Sequence, residues 1–257
     1  MPENEIVDTP VSNLENVLPE LMAIPADQIK RPNMPTEKAV QEAETQHTVA
    51  KRYEKQLLDV GLTTETIDEL KTRAGILSQA EAEWRINNNA HQDAVKNWDD
   101  AKDRAIELRK KLNRSFRHAY ESEDRIMGRI REFCKGTGDE NLIQDLSEFG
   151  RLGKANPSQL EAINFELSNL DDAIELHDNM RTLHAAYQDQ KYKQREYKDI
   201  RDRAFTYMKL SLDAVRKSGK YAFADNPRIA QEFTSEYDRS HRRKKQDDEN
   251  DPSNTKK

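Results

Sequence analysis

Residues 64–133 contain no proline, and apolar side chains recur through them three and four positions apart: Leu70, Ala74, Leu77, Trp84, His91, Val95, Trp98, Ala105, Leu112, Phe116, Ala119, Ile126, Ile130 and Phe133. That spacing places one stripe along a single helix, to be buried against other helices. At roughly 1.5 Å per residue an unbroken helix of this length would extend on the order of 100 Å, so it must either form a rod or break. Asn87, Asn88 and Asn89 mark the weakest helical point, but no glycine or proline accompanies them, and continuity is expected.

The composition suits such helices. Hydrophobic and charged residues each make up 35% of the 257 residues, which fits narrow buried stripes with solvated remaining faces. A net charge of -6 gives no strong overall attraction to nucleic acid. Cys134 is the only cysteine, so no intrachain disulfide can form, and a reducing compartment is expected. Acidic residues stand in Met1–Asp8 where a secretory signal would carry basic and apolar ones, and no apolar run is long enough for a bilayer. The expectation is a cytoplasmic protein without a membrane partner.

Six of the nine prolines fall within residues 1–35, which predicts an extended arm with no useful length of helix except around Ser12–Val17. Its Leu14, Val17, Leu18, Leu21, Met22, Ile24 and Ile29 are too apolar for a solvated linker, so the arm should dock on its own bundle or on a partner. A helix over about 36–60 follows, capped by Thr36 and ended by Gly61, and the tight connection at Leu62 and Thr63 makes it an antiparallel neighbour of the 64–134 helix. Gly136 and Gly138 stop that helix. A short elbow helix over 139–149, capped by Asp139, is closed by Gly150 and Gly153. Asn156 and Pro157 then open a second long helix to about 218, polar on nearly every face over 188–196 and so a bridge or hinge there. If the elbow's midpoint sets the register, Trp98 meets Tyr192, Phe116 meets Leu176 and Leu70 meets Tyr221. A last helix over 226–237 precedes a disordered charged tail, 238–257. The predicted fold is all-α: an elongated antiparallel long-helix hairpin forming a three- to four-helix bundle, with residues 36–237 as one domain and no internal repeat.

No residue set carries a catalytic or cofactor assignment. A carboxylate-bridged metal site needs Glu-x-x-His on two helices, and only Glu44–His47 fits. His177 and His184 share a face about Met180 but lack further zinc ligands. Gly136-Thr137-Gly138, and Gly150 with Gly153 and Lys154, lack phosphate-loop spacing. Cys134 sits at the negative end of a helix, despite Lys135 beside it, which disfavours a thiolate. The stripe Arg109, Lys110, Lys111, Arg114 and Arg117 borders the core.

Two binding readings remain. Arg239, Arg242, Arg243, Lys244 and Lys245 could neutralise phosphates of nucleic acid, though acids follow at once. Leu18, Leu21 and Ile24 of the arm, with Tyr221, Phe223, Phe233 and Tyr237, form a candidate patch for a protein partner or a second copy. The expected function is therefore a non-enzymatic structural or interaction bundle. Its alternatives are a nucleic-acid accessory protein using 239–245 and, third, a metal-dependent enzyme.

The chain also resembles a group of uncharacterised all-helical bacterial proteins. The similar segments are Leu18-Pro19-Glu20-Leu21 with Ile24-Pro25-Ala26 and residues 29–35; Arg73-Ala74-Gly75; Ile143-Gln144-Asp145-Leu146 with residues 152–156; and Ile200-Arg201-Asp202-Arg203-Ala204 leading to Gly219-Lys220-Tyr221. The resemblance implies a single helical domain and brings no activity, ligand or catalytic residue.

Overall fold

The computed structural model describes residues 13–241, which form helices and no strand. The elements are α1 (Leu14–Ala23), a 3-10 turn (Ala26–Gln28), α2 (Thr36–Arg52), α3 (Glu54–Asp59), α4 (Thr64–Ala119), α5 (Asp124–Phe133), α6 (Asp139–Ala155), α7 (Ser158–Ala162), α8 (Ser168–Ala222) and α9 (Pro227–Glu232). A final helical segment covers 236–241. Where one domain was expected over 36–237, the described residues divide into two compact units, 13–86 with 195–241 and 87–194. Each has its own apolar core, and the two cores share no residue.

In the first unit, α2 runs antiparallel to α4: Lys51 Nζ lies 2.6 Å from the Asp68 carboxylate, and Glu37 pairs with Arg85. Gly61, at φ +88°, turns the chain between them. The Leu62 amide reaches back to the Leu57 carbonyl and the Gly61 amide to that of Leu58, the paired bonds of a Schellman stop. Thr63 Oγ1 then accepts the Thr66 amide and caps α4. On the other side of α4, the Arg73 guanidinium lies 3.9 Å from the Tyr207 ring centroid and donates to the Tyr207 carbonyl, while Arg201 lies over Trp84. The falling partner numbers make α8 antiparallel to α4. Thr36 is the first helical residue of α2 rather than its cap, and a turn at Tyr53 divides the expected 36–60 helix.

The arm departs furthest from expectation. Of the residues predicted extended, 13–35 are described, and 14–23 are helical with Pro19 inside. Proline removes one amide bond, the one to Glu15. Burial of Leu14 and Leu21 in the core of this unit offsets that loss. The start of α1 is held by Gln79, which accepts the Leu14 amide at 2.9 Å. At its end Arg203 Nη1 donates to the carbonyls of Leu21, Met22 and Ile24 at 3.2, 3.3 and 2.7 Å. A cation is favourable there, since those carbonyls are the negative pole of the helix. Thr206 Oγ1 accepts the Lys30 amide at 2.8 Å, and Tyr207 donates to Glu20.

In the second unit α4 continues through Asn87–Asn89, as expected, but ends at Ala119, with a turn from Tyr120. Tyr120 is fully buried, and its hydroxyl donates to the Asn156 carbonyl. The next buried residue, Ile126, lies six positions on, which an unbroken helix would turn to another face. The break at 120–123 lets α5 lay Ile126 and Ile130 into the core. The glycines expected to close the elbow helix do not: α6 passes through both. A Cβ on Gly150 would stand 2.6 Å from the Ile174 side chain and 3.0 Å from the Leu170 carbonyl oxygen, and one on Gly153 2.6 Å from Leu170 and 2.8 Å from Phe116. They are contact surfaces for α8 and α4. The long helix expected from 157 begins at Ser168, because Asn164, at φ +53°, makes a second Schellman stop with the Phe165 amide on the Leu160 carbonyl. That later start shifts the register. Trp98 meets His184 and Tyr187, leaving Tyr192 68% exposed, and Phe116 packs on Phe149. In the first unit Leu70 is buried while Tyr221 is exposed. The polar stretch 188–196 is helical throughout, with no hinge in the backbone.

Candidate functional site

Of the residues predicted as an interaction patch, Phe223 and Phe233 stack on one another, while the arm residues lie elsewhere along α8. Leu21 and Phe233 are fully buried, Leu18 and Phe223 pack against the same core, and Ile24 and Tyr237 are half-buried. Only Tyr221 is open, at 74% exposure. The arm docks at Arg203, whereas Phe233 seats on Gly219, roughly 24 Å further along α8 at the helical rise. Gly219, expected near the end of that helix, lies inside it: a Cβ there would stand within 2.6 Å of the Phe233 ring. Tyr53, Phe223 and Phe233 close one aromatic cluster, with Tyr53 edge-on to Phe223 at 4.9 Å. Sequence reasoning identified these aromatics but not their direction. It missed Leu210, which is 56% exposed and shares with Tyr221 the solvent face of α8.

Beside the aromatic cluster lies a groove of about 600 Å³ lined by Lys38, Gln46, Arg216, Tyr237 and Arg239. Glu42 anchors its wall. One carboxylate oxygen accepts from Arg216 at 2.5 Å, and the other from the Ser235 hydroxyl at 3.0 Å and the Tyr237 amide at 2.8 Å. Burial pushes the Glu42 carboxyl up, but these hydrogen bonds and the Arg216 charge outweigh it and hold it below the ordinary range. Of the proposed phosphate contacts, Arg239 borders this groove. Arg242, Arg243, Lys244 and Lys245 lie outside the described residues, as does most of the predicted tail; 238–241 are helical.

The remaining candidates have structural partners. His47 Nε2 is 3.7 Å from Asp68, and burial lowers its pKa against that carboxylate's pull. Cys134 is half-buried, and burial, with Asp145 nearby, pushes its thiol up, opposite to what a nucleophile requires. Asp145 is fully buried against Arg109; burial raises its carboxyl, and the guanidinium offsets this only in part. Among the described residues no group of three or more His, Cys, Asp or Glu is arranged to hold a metal ion. His177 and His184 do share a surface. They border a second groove of about 530 Å³ between α6 and α8, with Ser147, Arg151 and Arg181.

No helix among the described residues is long and apolar enough to cross a membrane. No family model, curated protein or solved structure matches the chain.

Proposed function

We propose that the chain is a non-enzymatic helical interaction protein of the cytoplasm, whose first partner is a second copy of itself. The observation that carries this reading is the outward face of α8 in the first unit. Phe205, Met208, Leu212 and Val215 are buried in the core, yet Leu210 and Tyr221 are 56% and 74% exposed. Eleven residues make three turns of an α-helix, so Leu210 and Tyr221 stand above one another, with Ala214 and Lys217 between them. A helix that presents large apolar groups in two directions has one face unpartnered.

Two-fold pairing suits this face. An antiparallel copy would set each Leu210 against the other chain's Tyr221. The single cysteine is in keeping with the cytoplasm. The test is sedimentation of the whole chain across a hundredfold concentration range. A concentration-dependent dimer is expected, weakened at least tenfold in Tyr221→Glu and in Leu210→Glu. A monomer at every concentration overturns the proposal.

A further inference from the structure

The groove between α6 and α8 in the second unit has the composition of an anion site. Arg151 and Arg181 border it, and neither is paired with a carboxylate among the described residues. Glu140 is the one carboxylate lining it. Glu148, on the same helix, is engaged by Arg129 and Gln144. Ser147, 3% exposed, lies on the wall of the groove between the two arginines. His177 Nδ1 is 2.8 Å from the Ile143 carbonyl. A carbonyl can only accept, so the ring proton is on Nδ1, and Nε2 lies 3.9 Å from the Asp178 carboxylate.

The site has length as well as charge. The bond between His177 and Ile143 sets those residues opposite one another, and the helices are antiparallel. Arg181 therefore lies one turn beyond His177, and Arg151 two turns beyond Ile143 in the other direction. Their backbones stand roughly 18 Å apart along the groove, with long side chains free to reach inward over Ser147. Guanidinium forks suit phosphate oxygens, and two of them at opposite ends suit more than one phosphate.

We propose that this groove binds a small polyphosphate anion, its end groups on Arg151 and Arg181 and its middle over Ser147. The two histidines are built-in reporters, since the chain has only six. The experiment follows the imidazole proton resonances of the full chain during titration with orthophosphate, pyrophosphate and tripolyphosphate at constant ionic strength. Saturable movement of the His177 and His184 signals is expected, with those of His47 and His118 unmoved. Tripolyphosphate should bind at least tenfold more tightly than orthophosphate. Arg151→Gln and Arg181→Gln should each weaken it at least tenfold; both residues are exposed, so these variants keep the fold. Arg104→Gln, which borders a different groove, should leave binding unchanged. The proposal is overturned if no signal saturates, if all histidines move together, if orthophosphate binds equally well, or if Arg104→Gln weakens binding as much as the groove variants do.

Discussion

Single side chains in this protein are decided by what stands opposite them. Gly150 and Gly75 are both mid-helix, but a Cβ on Gly150 would crowd the Leu170 backbone while one on Gly75 would meet nothing within 4 Å. Gly150→Ala should therefore destabilise by about 2 kcal/mol through overpacking. Gly75→Ala should stabilise by roughly 0.5–1 kcal/mol by restricting the unfolded chain. Urea denaturation of the two variants would show the opposite signs. The buried carboxylates make a second contrast. Glu42 has its folded pKa below the unfolded 4.5, so its stabilisation is complete above that value and disappears as the pH falls through the lowered one. Asp145 has its folded pKa above the unfolded 3.8, so ionising it costs stability as the pH rises through the raised value. Denaturation midpoints followed from about pH 3 to 6 should lose their acid-side decline in part with Glu42→Gln, and gain at the upper end with Asp145→Asn.

At the scale of elements, one motif shows what the sequence makes visible. Two helices end in the same hydrogen-bond pattern, one at Gly61 and one at Asn164. The first is legible because glycine adopts positive φ freely; the second is hidden because asparagine does so only in context. Missing Asn164 moved the start of the second long helix by eleven residues and carried the inter-helix register with it. Gly150, Gly153 and Gly219 are the reverse case, where glycine reads as a helix stop but serves close approach inside a helix. Nothing local distinguishes a glycine needed for its dihedral from one needed for its missing Cβ. Burial within the candidate patch is hidden for a related reason: period and composition identify apolar residues, but burial of Phe233 depends on a socket at Gly219 elsewhere in the chain. The docked arm gives the prediction at this scale. Arg203→Ala removes three hydrogen bonds from the end of α1 and should cost about 2–3 kcal/mol. Amide exchange over residues 14–30 should accelerate more than that of α4, and uniform acceleration across both would count against this account of the docking.

For the molecule as a whole, two cores without a common residue imply two cooperative regions of separate stability. Leu146→Ala, at a fully buried position of the second core, should cost about 3 kcal/mol there. Hydrogen exchange should then lose protection around Phe116 and Met180, while Leu70 and Ala204 keep theirs. A loss shared equally by both regions would show one cooperative fold. The way Arg203 holds the arm has a consequence beyond stability. Its Nε pairs with Asp199 on its own helix, but on the arm it meets main-chain oxygens alone, so it reads the path of residues 21–24 and is blind to the side chains at Met22 and Ala23. A change of side chain at either position leaves those three bonds in place and can add a new contact there, whereas a change at Arg203 removes all three.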